Sequence, residues 1–418
     1  MKSKLQQGYG SPRWTGELTD CSMPMTFDTY SNCGFGCMYC FSQFQRAVGT
    51  TKDDYAAGRV KVVNVEKVKR IFEPGTKSSF RRYVDERKVM QWGGLSDPFC
   101  TIERQHGHGL KLLKFFRDIE YPISFSTKGT WWTKDKRYTD LFRGATNWHV
   151  KVSIITLDAM KAAAIERGVD SPAARLDAIG RIADLGIGGV TLRFRPFIIG
   201  VSSPQHEALI RGAASKGADS VSTEFFCLEQ RSTALRKKLG VMSELAGYDL
   251  FEFYKKHSRR RGYMRLNRTI KRPYVDAMQK TAHECGMRFY VSDADFKERC
   301  DGGSCCGLND GHKWSRGQFT AALLLCKQNG QVTWDEVAED MDHYEGLEAS
   351  TLESCQLFGG SAERCARFKG IEVREALRSI WNNPKTGHSP YQMFGGVMKP
   401  ARVDDNGNVI YEYDSSRE

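Results

Sequence analysis

Three cysteines within eight residues, in the run Cys33-Gly34-Phe35-Gly36-Cys37-Met38-Tyr39-Cys40, constrain this chain more than any other feature. They follow directly on a β-rich run at residues 26–30, so one compact loop offers three thiolates to a single centre. Thiolate is a soft ligand that suits iron-sulfur clusters, and a four-iron cubane held by three residues keeps one iron open for a further ligand. Zinc is the alternative, but its ligands usually come as two separated Cys or Cys/His pairs rather than as a triplet. The chain has 13 cysteines in 418 residues. Its first residues, MKSKLQQGYGSPRW, lack the apolar stretch of a secretory signal. A cytoplasmic location is therefore expected, where thiols stay reduced and serve metals more than disulfides.

The remaining pattern is α/β. From residue 26 to 226, short β-rich runs alternate with amphipathic helical patterns, which argues for βα units around a parallel sheet. Strands are predicted at 26–30, 89–92, 123–127, 150–155, 190–196 and 220–226, with helices such as 173–185 and 207–216 between them. Six such units predict a partial, open (β/α)6 barrel. A helix pair at 250–260 and 274–285 leads to a further strand at 287–291 that extends or closes the sheet. The predicted division is an N-terminal extension (1–20), a barrel (21–292) with a basic helical segment (250–285), and a cysteine-rich C-terminal domain (293–418). That last part has helices at 319–328 and 334–341 and ends in a hairpin, because Asn406-Gly407 is turn chemistry that accepts positive φ. Apolar residues make up 40% and charged ones 27%, with no run of about 18 apolar residues, so a soluble monomer without a membrane span is expected.

A formal net charge of +12 points to a polyanionic partner. The charge is concentrated: residues 255–272 hold nine Lys or Arg and no acid, with Tyr263 interleaved. Such a run repels itself unless an anion meets it, so Arg259, Arg260, Arg261, Arg265, Arg268, Lys271 and Arg272 are candidate nucleic-acid contacts, with a solvated helix face as the alternative. A second group of cysteines, Cys285, Cys300, Cys305, Cys306, Cys326, Cys355 and Cys365, occupies the last third of the chain. The close spacing of Cys300, Cys305 and Cys306 among Gly302, Gly303 and Gly307 suggests one or two auxiliary four-iron clusters, with structural zinc as the rival. Cys21 and Cys227 read as core thiols.

Barrel enzymes assemble their sites at the C-terminal ends of the strands. Ser126, Lys128, Ser153, Arg193 and Arg195 fall there, as does Gly93-Gly94, which otherwise reads as a tight turn. Arg195 is the candidate carboxylate clamp, since guanidinium grips carboxylates in bidentate fashion.

The triplet, with aromatic Tyr39 before its last cysteine, resembles the CxxxCxΦC motif of the radical S-adenosylmethionine (radical SAM) superfamily. The resemblance implies that Cys33, Cys37 and Cys40 hold a four-iron cluster whose open iron chelates SAM, and that reduction yields a 5′-deoxyadenosyl radical. It also implies cofactor contacts from Tyr39, Gly93, Gly94, Ser126, Lys128, Ser153, Arg193 and Arg195, and an electron donor such as flavodoxin or ferredoxin. The segments GGLSDPFCTIERQ, ISFSTKGT, VKVSIITLD and IERGVDSPAARLDAIGRIADLGI narrow the likeness to the spore photoproduct lyase and DNA repair photolyase branch, over about two fifths of the chain. That branch includes enzymes acting on thymine-derived bases in DNA.

One departure bears on mechanism: Gly94 stands where lesion lyases carry a hydrogen-donating cysteine, and Cys100 is the candidate substitute, with a buried core thiol as its other reading. The missing donor, the basic run and the additional cysteines together suggest similarity to phage thymidine-hypermodification enzymes, with an N-linked glycinyl thymidine rearranged to its C-linked isomer. A target base in duplex DNA would be flipped out, with Phe225, Phe226 or the Trp131-Trp132 pair available for stacking. The other readings are a repair lyase using Cys100, a peptide-modifying radical SAM enzyme with auxiliary clusters, and a DNA-binding protein with a structural cluster.

Overall fold

A computed structural model describes residues 5–15, 19–43, 58–229, 233–258, 263–308, 318–348 and 368–418. Its centre is an eight-stranded sheet. Seven strands run parallel in chain order: Met25–Phe27, Met90–Trp92, Ile123–Thr127, Trp148–Ser153, Gly189–Phe197, Ser220–Phe225 and Arg288–Val291. Every residue of the third and fourth strands is buried, as expected of parallel strands covered on both faces. The outer side is covered by helices whose starts are written in the sequence. Ser171 caps Pro172–Ala183 by accepting from the Ala174 amide, with Pro172 in the first turn.

All six predicted strands are present, and the seventh extends the sheet. The stretch expected as an N-terminal extension is instead woven into the fold. Arg13–Trp14 forms the antiparallel edge strand of the main sheet, and Leu5–Gln7 pairs with Val60–Val62. The helix expected from 274 begins earlier, spanning Arg268–Glu284 through Pro273, because Asn267 supplies the cap six residues before the proline.

The sheet is curled. The first and sixth strands are five steps apart, roughly 24 Å along a flat sheet. Yet residues 305–308 reach both sides of it. Cys305, Cys306 and Leu308 pack with Met23 and Val89 beside the first two strands. The Cys305 carbonyl accepts from Ser222 Oγ at 3.0 Å, on the sixth strand. Gly307, at φ +79°, lies so close to the fifth strand that a Cβ there would sit 2.4 Å from Thr191 Oγ1. The segment 300–308 thus crosses the inner face of the sheet as a floor.

A second core spans 319–411 and includes Phe319, Leu323, Trp334, Trp381 and Tyr411. Its three-stranded antiparallel sheet contains the expected hairpin, Met398–Val403 with Val409–Tyr413, turned at Gly407 with φ +77°. Among the described residues no helix is long and apolar enough to cross a membrane.

Candidate active site

The cysteine loop is strapped to a distant segment. The Met38 amide donates to the Ile165 carbonyl and the Gly168 amide to the Phe35 carbonyl, both at 3.0 Å. Gly168 must be small: a Cβ there would stand 2.8 Å from the Phe35 carbonyl oxygen. Behind the loop, the Tyr39 hydroxyl donates to Glu166, and Glu166 meets Arg175 at 2.7 Å with both side chains sealed from solvent. That contact is an ion pair whose atoms are not aligned as a hydrogen bond. Arg175 also donates to the Ser153 carbonyl at 2.8 Å, tying the loop to the end of the fourth strand. Burial, then Glu166, pushes the Tyr39 hydroxyl well up, so it stays a donor.

Opposite the loop, one buried carboxylate, Asp28, and one partly buried, Asp97, shape the turn after the second strand. Asp28 accepts from the Leu95 and Ser96 amides at 2.8 and 2.9 Å and pairs with Arg13 at 2.9 Å. Asp97 accepts from Phe99 N, Thr127 Oγ1 and Lys128 N at 2.9, 2.8 and 2.6 Å, while burial pulls its carboxyl upward. Gly93 holds φ +100° there, and a Cβ would meet the Ser126 carbonyl oxygen at 2.6 Å. The loop, the turn and the strand ends enclose a cavity of about 300 Å³.

Cys33, Cys37 and Cys40 all line this cavity, as do Tyr39, Gly93, Gly94, Ser126, Lys128, Ser153, Arg193 and Arg195. Every cofactor contact expected from the resemblance therefore falls in one place. Burial and then Cys40 push the Cys33 thiol up to about 11, and burial pushes Cys37 up as well. Buried thiols of this kind lose their protons when a metal takes them. The cavity is also under-satisfied: Ser126 Oγ and Ser153 Oγ have no hydrogen-bond partner among the described residues, although their side chains are buried. Orphaned donors of this kind fit a polar ligand.

Three thiols on one wall fit an iron-sulfur cubane by donor chemistry. Among the described residues no three His, Cys, Asp or Glu side chains converge on one ion. A cubane does not require that, since each thiolate takes a different iron.

Of the expected residues, some are engaged by the chain itself and some lie away from the cavity. Arg195 is paired with Glu224 across the fifth and sixth strands, so its expected carboxylate partner comes from the chain itself. Cys100 is fully buried, precedes the helix Thr101–His106 and is not part of the cavity wall. Trp132 stacks on Phe99 at 4.4 Å within the core, whereas Phe225 and Phe226 do line the cavity. Arg268 meets Glu298 at 2.5 Å, and buried Lys271 meets Asp293 at 3.0 Å and also Asp295. Arg272 donates to the Glu418 backbone. These three side chains are used inside the fold, while Arg265 reaches the cavity wall. Arg259, Arg260, Arg261, Cys355 and Cys365 lie outside the described residues.

The downstream cysteines divide. Cys326 is buried in the second core, and Cys285 ends the helix Arg268–Glu284 near Arg211, so neither joins the floor segment. Cys305 and Cys306 line the cavity together with Cys21 and Cys227, both of which composition had suggested to be core thiols. Two further cations were not legible in the sequence. Lys151, on the fourth strand, is buried with its Nζ unpartnered among the described residues. Lys297 is buried and paired with Asp20 at 3.0 Å. Burial, with Arg193 and Arg195 nearby, draws Lys151 down, and burial draws Arg193 down to about 10.

Fold and site together define a parallel α/β protein with a triple-thiol loop at the C-terminal edge of a curled sheet. No protein-family model matches the chain, and no curated protein matches it. Among solved structures, the fold is that of spore photoproduct lyase. A tyrosine-to-phenylalanine variant of that enzyme superposes with a TM-score of 0.52 at 18% identity, over 70% of this chain and 82% of the other. A cysteine-to-serine variant gives 0.50 at 17% identity and a cysteine-to-alanine variant 0.50 at 18%, each with the same coverage.

Proposed function

We propose that the chain is a radical SAM enzyme, built on a partial barrel, that modifies a thymine-derived base in DNA. The observation that carries this reading is the convergence of Cys33, Cys37 and Cys40 with Gly93 and the unpartnered hydroxyls of Ser126 and Ser153 around one cavity. When bound, a four-iron cluster and SAM supply a 5′-deoxyadenosyl radical that takes hydrogen from an unactivated carbon. The three thiols hold the cluster, and the backbone at Gly93 and Gly94 lies open to the amino group of SAM. Ser126 and Ser153 present hydroxyls to polar groups of SAM or substrate. Phe225 and Phe226 form an apolar wall that keeps water from the reacting carbon.

The substrate assignment leans on the neighbour in fold, whose name makes it a lyase of a spore photoproduct, and on Arg265 at the cavity wall. The most specific form is the rearrangement of an N-linked glycinyl thymidine to its C-linked isomer, in the cytoplasm, with a flavodoxin or ferredoxin as electron donor. Sealed Cys100 favours this over a repair lyase that relies on that thiol. A repair reading keeps one supporting observation: Cys227, just after the sixth strand, places a thiol in the cavity wall.

The test is anaerobic incubation of reduced protein with SAM and a DNA oligonucleotide carrying glycinyl thymidine deuterated at the glycine carbon. Formation of 5′-deoxyadenosine in the wild type and its loss in the Cys33→Ala/Cys37→Ala/Cys40→Ala variant is the expected result. Deuterium reaching 5′-deoxyadenosine supports the isomerase. Conversion of spore photoproduct DNA to thymines, abolished by Cys227→Ala, supports repair. Absence of both 5′-deoxyadenosine and any converted base in the wild type under all these conditions refutes both, since an enzyme that returns the hydrogen to its product regenerates SAM.

A further inference from the structure

The floor of the cavity carries a second set of thiols that the proposed reaction does not use. Cys21 stands just before the first parallel strand, and Cys300, Cys305 and Cys306 follow the last one. Although some 280 positions separate the two groups in sequence, the fold packs all four into one small patch with Met23, Val89 and Leu308. The patch is pinned from several sides. Asp20, beside Cys21, pairs with Lys297 and accepts from Thr320, and the Thr19 carbonyl accepts from the Phe319 amide. Cys300 Sγ is held by the Val291 amide at 3.3 Å, and the Cys305 carbonyl by Ser222.

Four thiols so placed would, as an ordinary core, waste their position. Small apolar side chains would pack there as well. The surroundings are moreover those of an anion. Among the described residues Lys151 presents an unpartnered buried Nζ to the side of Cys305 and Cys306, and Lys297, also buried, lies close enough to Cys305 and Cys300 to feel their charge. A lysine so buried is costly unless negative charge meets it. Among the described residues Asp20 pairs with Lys297, and no acid is paired with Lys151. A cluster held by four thiolates carries net negative charge and supplies what Lys151 lacks. Glycine at 302, 303 and 307 lets the backbone wrap closely, as a bulky inorganic group requires.

We infer that Cys21, Cys300, Cys305 and Cys306 form a second iron-sulfur site, a four-thiolate cage for an auxiliary four-iron cluster in the floor of the cavity. The ligand set is closed, so every iron is saturated and none is free to take SAM or substrate. The site thus differs in kind from the open triplet above it. It draws its first ligand from the N-terminal segment and leaves Cys285 and Cys326 out. The inference does not depend on the radical SAM reading, because the two sets of thiols share no member.

The experiment is iron, sulfide and zinc analysis of anaerobically purified full-length protein, with electron paramagnetic resonance of the reduced samples with and without SAM. The Cys33→Ala/Cys37→Ala/Cys40→Ala variant is expected to keep about four irons and a reduced-cluster signal that SAM leaves unchanged. Adding Cys300→Ser/Cys305→Ser/Cys306→Ser should remove that iron. Cys21→Ser alone should alter the retained signal, and Cys285→Ser should not. Circular dichroism and the single Cys306→Ser variant separate ligand loss from misfolding. Zinc in place of iron, no metal in the first variant, or retention of iron when Cys300, Cys305 and Cys306 are replaced overturns the inference. If iron is lost with the floor cysteines but not with Cys33, Cys37 and Cys40, the proposed function fails and the second site stands.

Discussion

The buried trio behind the cysteine loop offers the sharpest test of how this site is built. Arg175 and Glu166 are at 0% and 1% side-chain exposure and 2.7 Å apart, with the Tyr39 hydroxyl on the other carboxylate oxygen. Arg175→Met keeps most of the volume but leaves the Glu166 carboxylate buried without its cation and the Ser153 carbonyl without a donor. Removing one partner of such a pair costs about 3–5 kcal/mol. Glu166→Gln should cost a similar amount, since it strands the arginine. The double variant removes both charges, so its loss should fall at least about 2 kcal/mol short of the sum of the singles. Tyr39→Phe deletes one hydrogen bond and should cost about 1 kcal/mol. The assay is urea denaturation of the metal-free protein, followed by fluorescence of Trp92 and Trp148 in the first core, together with iron retention by the Cys33 loop. Single-variant losses below about 1 kcal/mol, or strict additivity in the double, would refute the view that this pair anchors the loop.

Other consequences are open to direct measurement. Cys100→Ala should leave SAM cleavage and product distribution unchanged, because the thiol is sealed from the cavity; loss of turnover with normal iron content would restore it as a hydrogen donor. Lys271→Met should destabilise the fold by about 3–5 kcal/mol through Asp293 and Asp295 while leaving the salt dependence of DNA binding unaltered, as read by fluorescence anisotropy. His343, packed against Trp14 and Tyr344, is drawn down to about 3 by burial and then by Lys88. Its folded form stays neutral while the unfolded chain takes a proton near pH 6.5, so its contribution is complete above that pH and lost as pH falls toward about 3. Between about pH 6.5 and 5 the wild type should lose about 2 kcal/mol that a His343→Phe variant keeps; equal slopes for the two proteins would contradict the assignment.

Much of the site was legible because its signals are local. The triplet, the strand runs and the residues at strand ends are short patterns whose spacing fixes where side chains point, and Ser126, Ser153 and Arg193 reach the cavity for that reason. What was not legible depends on partners far away in sequence. The run from 255 to 272 contains no acid, but Asp293, Asp295 and Glu298 meet Lys271 and Arg268 from a later turn, so two of its cations are neutralised within the fold. Arg195 resembles a free clamp in the sequence, yet strand pairing brings it beside Glu224. Cys21 has no neighbouring cysteine, and only the curl of the sheet brings it to Cys305 and Cys306. Cys326 sits in a region rich in cysteine but faces the second core, with its thiol 3.6 Å from the Tyr411 carbonyl.

The floor segment also sets an order of events during synthesis. All seven parallel strands leave the ribosome before residues 300–308, which line their inner face, and that face is polar, with Ser124, His149, Lys151, Thr191 and Ser222 buried in the finished protein. Until residues 300–308 arrive, this inner face has no cover from that segment, although Ser124, His149 and Thr191 already hydrogen-bond one another across it. Two of the contacts that pin the segment, Lys297 with Asp20 and Thr320 with Asp20, join residues about 280 and 300 positions apart in a chain of 418. Contacts of such long sequence separation form late and slowly. A nascent chain halted before residue 300 should therefore behave as an open, aggregation-prone sheet, exposed at both edges to chaperones.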